Sequence, residues 1–162
     1  MEIIRITVET ASQIALLAAE FRVTLRALKG IASEPDPVEG EKEITEFVQA
    51  GFPVFAAKEE NDCVGYIVCR IEGTVLWTEQ IYVAKDHRRK GVASALFAKA
   101  EEIAAFMDED TIYNYVHPNN EGMIAFLRSK GYTVLNLIEI RKPYRNEQLK
   151  TTIQVDRNSF DY

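Results

Sequence analysis

Cysteine, histidine and long apolar runs are scarce in this chain of 162 residues, which holds two cysteines, two histidines, one tryptophan and five prolines. Each scarcity removes a class of protein. Cys63 and Cys69 fall in one expected hairpin, the first at its turn and the second near the far end of the following strand. On one strand they would share a face roughly 20 Å apart, at about 3.3 Å per residue, too far for a disulfide. Neither has a CxxC partner, and His87 and His117 are not spaced with them as zinc ligands, so no metal is expected. The longest apolar run near the N-terminus, Ile14 to Ala19, is far short of a membrane span and lacks the pattern of a signal peptide. A cytoplasmic protein without membrane contact is the expectation. Positive charge is also in deficit: 19 Lys and Arg stand against 25 Asp and Glu, a net charge of -6, which argues against general nucleic-acid binding.

What remains is the composition of a folded globular protein, 47% hydrophobic and 27% charged, with length for one core. No linker or internal repeat divides it, so a single domain over 1–162 is expected, with its core over 2–141 and a polar tail over 142–162. Glu2 to Val8 alternates as a half-buried strand does, and Thr10 can cap a helix from about Ala11 to Leu28, closed by Gly30. Ile31 to Gly40, with Pro35 and Pro37, reads as a loop, followed by a short helix from about Glu41 to Ala50. Val54 to Lys58, Val64 to Ile71 and Thr74 to Val83 read as an antiparallel meander. An amphipathic helix with apolar Val92, Ala95, Leu96, Ala100, Ile103 and Ala104 comes next. The spacing then predicts a strand over Thr111 to Val116, a helix over Asn120 to Lys130, a strand over Tyr132 to Arg141 and a short strand over Thr151 to Val155. A strand, crossover helix and second strand imply a parallel pair, so the sheet is mixed and the class is α/β (α+β).

Between the meander and the amphipathic helix runs Val83-Ala-Lys-Asp-His-Arg-Arg-Lys-Gly-Val-Ala-Ser-Ala95, a basic turn in an acidic protein. The first turn of a helix leaves backbone N–H groups without intrahelical acceptors and carries the positive end of the helix dipole. Arg88, Arg89 and Lys90 add full charges there, Gly91 lets the backbone approach an anion, and Ala93 keeps the next position small. A diphosphate fits such a turn. A dinucleotide-binding oxidoreductase is disfavoured, because the turn lacks GxGxxG, and Lys90 precedes Gly91 rather than following it as in a P-loop.

Arg88, Gly91 and Ala93 resemble the acetyl-CoA-binding motif of the GNAT-type N-acetyltransferases: Gln or Arg, two residues, Gly, one residue, then Gly or Ala. A second stretch, Asn119 to Tyr132, resembles the family segment in which an Asn starts the last helix and a Gly-aromatic pair ends it. The element order over Glu2 to Arg141 is similar to the GNAT fold, with a mixed central β-sheet, antiparallel N-terminal strands, a parallel strand pair and helices on both faces. The resemblance implies acetyl-CoA as co-substrate. It would lie along the backbone of Ile81, Tyr82 and Val83, with its diphosphate on Arg88, Arg89, Lys90, Gly91, Val92, Ala93 and Ser94 and its pantetheine arm touching Asn120. Asn120 also reads simply as a helix N-cap, and both roles are compatible.

Acetyl transfer to an amine needs a neutral nucleophile, a stabilised oxyanion and a departing thiolate. A lysine-like amine with a pKa of about 10.4 is neutral only about once in a thousand molecules near pH ~7.4, so a proton acceptor matters. The thiolate, with a pKa of about 8.5, leaves with little help. By the strand period of two, Trp77, Glu79, Ile81 and Val83 share one face, which sets Glu79 among apolar neighbours. Glu79 sits where some family members place the base, the alternative being a solvent-facing carboxylate, and the N–H of Ile81 is a candidate oxyanion donor. The sequence departs from the family pattern twice. Tyr115 occupies the place of a common catalytic Glu, and Leu127 that of the Tyr that protonates the thiolate. Tyr115 is therefore the candidate substitute acid, or an aromatic pocket wall; His117, just outside the same strand, reads as a surface residue.

The resemblance places the acceptor site at the first two helices, their loop and the sheet centre, where Glu34, Asp36, Glu39, Glu41 and Glu43 would attract a cation if they are more than a solvated acidic loop. The leading expectation is an enzyme that moves an acetyl group from acetyl-CoA to a primary amine of a small molecule or protein by direct attack, with a homodimer among the assemblies open to it. The alternative, motivated by Tyr115 and Leu127, is an acyl-CoA-binding protein of the same fold with a sensor or regulatory role.

Overall fold

The computed structural model describes residues 1–162, which form two compact units, Met1–Phe126 and Leu127–Tyr162. The first unit carries β1 (Glu2–Arg5), a 3-10 helix (Val8–Ile14), α1 (Ala15–Leu28), α2 (Pro37–Gln49), β2 (Val54–Glu59), β3 (Asp62–Glu72), β4 (Val75–Val83), a 3-10 turn (Lys85–His87), α3 (Val92–Phe106), β5 (Tyr113–Asn114) and the start of α4 (Glu121–Ser129). The five strands lie in the order β1-β2-β3-β4-β5; the first three pairings are antiparallel and β4 with β5 is parallel. This is the expected mixed sheet.

The helix starts depart from the expectations for local reasons. Thr10 is not a cap: its hydroxyl accepts from the Thr7 N–H at 2.9 Å, so the chain turns three residues earlier and enters α1 through a 3-10 helix. The loop predicted over 31–40 is shorter, because Asp36 accepts from the N–H groups of Val38 at 3.0 Å and Glu39 at 3.3 Å, with Pro37 at the first helical position, where it lacks no needed donor. Three alanines on α1, Ala15, Ala18 and Ala19, are buried where α2 comes closest. A Cβ built at Gly40 of α2 would stand 2.2 Å from the Ala15 carbonyl oxygen, a backbone atom that cannot swing aside. Gly40→Ala is therefore expected to destabilise the protein by about 1–3 kcal/mol through overpacking, against the roughly 1 kcal/mol that alanine gains in helix propensity. A lower midpoint in thermal unfolding by circular dichroism checks this; an unchanged or raised midpoint contradicts it.

The sheet has two distinct faces. Tyr66, Val68 and Tyr82 join Ile14, Leu17, Ala18 and Ile44 in one buried cluster under α1 and α2. Gly65 faces the other way, where a Cβ would meet Val92 Cγ1 at 3.1 Å and Leu96 Cδ1 at 3.2 Å, so the bare glycine lets the first turns of α3 lie on the sheet. Cys63 and Cys69 are free, and burial pushes the Cys69 thiol up to about 12, which keeps it protonated and inert at neutral pH.

Two expected strands differ. The strand predicted over Thr111 to Val116 is reduced to Tyr113–Asn114, since β4 offers pairing only at Trp77↔Tyr113 and Thr78↔Asn114. The strand predicted over Tyr132 to Arg141 does not form. Its alternation is real, but a strand exists only with a ladder partner, and Val134, Leu135, Leu137, Ile138 and Ile140 all remain exposed. The second unit does hold a hairpin, β6 (Thr152–Val155) with β7 (Asn158–Asp161), the first of which corresponds to the short strand expected over Thr151 to Val155. Before it, Arg141 grips Glu147 with two nitrogens, at 2.9 and 2.7 Å, and lies over the Tyr144 ring.

Candidate active site

The site begins with a pairing defect. In the β3–β4 ladder, Val68 opposes Gln80 and Cys69 opposes Thr78, which leaves Glu79 unpaired in a β-bulge. A bulge shifts side-chain alternation, and this overturns the expectation that Trp77, Glu79, Ile81 and Val83 share a face. Tyr66, Val68 and Arg70 oppose Tyr82, Gln80 and Trp77 on the α1–α2 side, whereas Ile81 and Val83 share the α3 side with Thr78 and Leu76. Glu79 has no apolar setting either: its carboxylate takes a bond from Arg70 Nε at 2.9 Å and is one-third exposed.

Around the bulge the α1–α2 side is aromatic and polar. Trp77 stacks on Tyr115 at 4.7 Å between centroids and lies against Tyr113 at 4.9 Å, with the Arg70 guanidinium 5.2 Å over its ring. Tyr115 is 66% exposed, at the mouth of this wall. Gln80, 3% exposed, is fixed at both ends of its amide: it accepts from the Tyr66 hydroxyl at 2.7 Å and donates to Glu43 of α2 at 2.9 Å. Burial pushes the Tyr66 phenol far up, so it stays a neutral donor.

Beyond the bulge, β4 has an open edge. Its pairing with β5 ends at Thr78↔Asn114, although β4 continues to Val83. The Ala84 N–H bonds the Val64 carbonyl at 2.9 Å, so by antiparallel alternation Tyr82 turns its backbone groups to β3 and Ile81 and Val83 turn theirs to the open side. At the closed end of this gap Thr78 Oγ1 and Asn114 Oδ1 are buried without a partner. At its far end stands the basic turn. Arg89 and Gly91 both take positive φ, +62° and +85°, and Gly91 is the N-cap of α3. The first ladder bond of α3 runs from the Ala95 N–H to the Gly91 carbonyl, so Val92, Ala93 and Ser94 carry the N–H groups that helix geometry leaves over. Arg88 is not simply an outward cation. Its Nε donates to the Val83 carbonyl at 3.0 Å and its guanidinium covers the Tyr82 ring at 5.4 Å, which pins the turn to the end of β4. His87 anchors the same turn through a 3.0 Å bond to Glu59. Asn120 caps α4, accepting from the Met123 N–H at 3.2 Å.

Sequence reasoning thus placed the turn, Glu79, Ile81, Val83 and Asn120 on the elements where they occur, and missed Arg70, Thr78, Gln80 and Asn114. Gln80 left a trace, as a lone amide beside Ile81 and Tyr82; the others gave no local signal. Of the expected acidic residues, Asp36 is a helix cap, Glu39 lies 3.7 Å from Lys42, and Glu43 pairs with Arg22 and Gln80. Leu127 is buried.

No helix is long and apolar enough to cross a membrane, and no curated protein matches the sequence. Solved structures are similar in fold. A ribosomal-protein-alanine N-acetyltransferase from Brucella melitensis biovar Abortus 2308 aligns with a TM-score of 0.67 at 16% identity, over 89% of this chain and 100% of that one. A PaiA N-acetyltransferase from Thermoplasma acidophilum, in complex with coenzyme A, gives 0.67 at 18% identity over 80% and 87% of the two chains. The aminoglycoside enzyme AAC(6')-Iy, in complex with a bisubstrate analogue of CoA and acetylneamine, gives 0.67 at 17% identity over 88% and 98%. The model of the acetyltransferase (GNAT) family matches residues 18–132, more than half of the chain, from within α1 through the bulge and the basic turn to just past α4, and the chain belongs to that family of acetyltransferases.

Proposed function

We propose that the chain transfers an acetyl group from acetyl-CoA to a primary amine by direct attack. The observation that carries this reading is the open edge of β4 followed by the start of α3, whose first N–H groups have no intrahelical acceptor. A pantetheine arm has amide groups that add to such an edge as a strand would, and the groups turned towards it are the backbone N–H and carbonyl of Ile81 and the N–H of Val83, whose carbonyl accepts from Arg88. The diphosphate then falls at Gly91 to Ser94, beside Arg89 and Lys90, with Arg88 holding the turn in shape and Asn120 near the arm. The thioester arrives at the bulge. There the Ile81 N–H serves as oxyanion donor, and Glu79 accepts the proton of the attacking amine directly or through a water. Nitrogen bonds to the acetyl carbon, the carbon–sulfur bond breaks with its electron pair on sulfur, and the thiolate leaves unaided by a tyrosine at position 127. Tyr115, stacked on Trp77, forms the wall along the acceptor's path.

The test is thiol release from acetyl-CoA across a panel of primary amines, with the acetylated product identified by mass. Release that depends on the amine supports the reading. Tight acetyl-CoA binding with no amine-dependent release would overturn it in favour of an acyl-CoA sensor.

A further inference from the structure

The geometry points to Glu43 as the anionic subsite for a second, protonated nitrogen of the acceptor, a place held in this structure by the chain's own Arg22. This rests on the reading of the bulge as the reaction centre. The Glu43 side chain is only 19% exposed, and its carboxylate has one partner fixed in the core and one on the surface. Oε1 receives Gln80 Nε2 at 2.9 Å, from a side chain that Tyr66 locks from below at 2.7 Å. That half of the contact is rigid, because both Gln80 and Tyr66 lie in the core and every polar group along the string is paired. Arg22 grips both oxygens, with Nε on Oε2 at 3.0 Å and Nη2 on Oε1 beside Gln80, and its side chain is 52% exposed on α1. A fixed, mostly desolvated carboxylate is thus capped by a cation on a long, half-solvated stem. An external cation can replace Arg22 at a small cost, since the guanidinium returns to water and the carboxylate never loses its charge partner.

The place of this carboxylate gives it meaning. Gln80, which holds it, follows Glu79 in the chain, and both side chains lie on the α1–α2 side of the sheet. The acceptor that fits is a molecule with two amines, one giving up a proton near Glu79 and the other remaining protonated against Glu43. Diaminobutane and butylamine, which differ only in the second amine, are the probes. The readout is the ratio of their affinities for the CoA-saturated protein, measured by calorimetry.

Arg22→Met removes the competing cation and keeps the stem, and should raise the preference for the diamine about twofold to fivefold, the range of a partly exposed ion pair. Glu43→Gln keeps an oxygen for Gln80 and should bring the ratio close to one. An unchanged ratio in both variants, or a loss of both ligands in parallel, would overturn the inference and leave Arg22–Glu43 as a helix–helix contact. If the ratio shifts as expected while no amine is acetylated by the wild-type protein, the subsite stands and the catalytic reading falls.

Discussion

Glutamine in place of Glu79 is expected to lower turnover at neutral pH by about 10²- to 10⁴-fold, the usual cost of removing a positioned base, while acetyl-CoA affinity stays close to wild type. Glu79 is the residue left out of the β3–β4 ladder, and its side chain reaches Arg70 rather than an apolar neighbour. The substitution keeps the shape and a hydrogen-bond acceptor for Arg70 but removes the group that can take a proton. If that is its role, the defect must shrink as pH rises towards the pKa of the acceptor, because the amine then arrives neutral. A structural defect at the bulge would persist at every pH. Steady-state rates with a fixed amine from neutral to alkaline pH separate the two. Wild-type turnover in Glu79→Gln at neutral pH would remove the assignment and direct the search to Tyr115, His117 or an unassisted attack.

The faces of β4 show where the sequence stops being informative. Everything about the basic turn is local: the charges, the glycine and the start of an amphipathic helix lie within a dozen residues, and the structure holds them as one turn with Gly91 at the cap. The bulge is not local. Nothing in Thr74 to Val83 says that Val68 and Cys69 oppose Gln80 and Thr78, because a bulge is a property of two strands in register. A strict period of two therefore puts Glu79 among apolar residues, when its partner is Arg70 on the adjacent strand. The same limit explains the segment Tyr132 to Arg141, where alternation is present and the ladder is not. It also explains Gln80, whose meaning depends on Tyr66 and Glu43, fourteen and thirty-seven residues away in sequence. Helix starts were nearer to legible. Asp36-Pro37 is a cap followed by a proline at the first helical position, so Pro37 belongs to α2 while Pro35 stays in the loop.

Gly91→Glu should weaken acetyl-CoA binding by about a hundredfold or more, with Gly91→Ala as the control that separates charge from strain. At φ +85° any side chain costs roughly 1 kcal/mol in backbone strain, and both variants bear that cost. Space is no obstacle within the protein itself, since a Cβ at this position meets no atom within 4 Å. What differs is the carboxylate. At a helix N-terminus it is tolerated by the fold, because the dipole favours negative charge there. It then uses the same N–H groups and the same positive end that the diphosphate needs. Two like charges about 4 Å apart repel by roughly 4 kcal/mol at an effective dielectric near 20, more than the hundredfold requires, and salt reduces the margin. Calorimetric titration with acetyl-CoA at low and high salt checks this: the loss should be large at low salt, smaller at high salt and slight throughout in Gly91→Ala. Equal losses in the two variants would show that the φ of Gly91, not an anion held by the turn, is what the glycine serves. Wild-type affinity in Gly91→Glu would move the diphosphate away from α3 altogether.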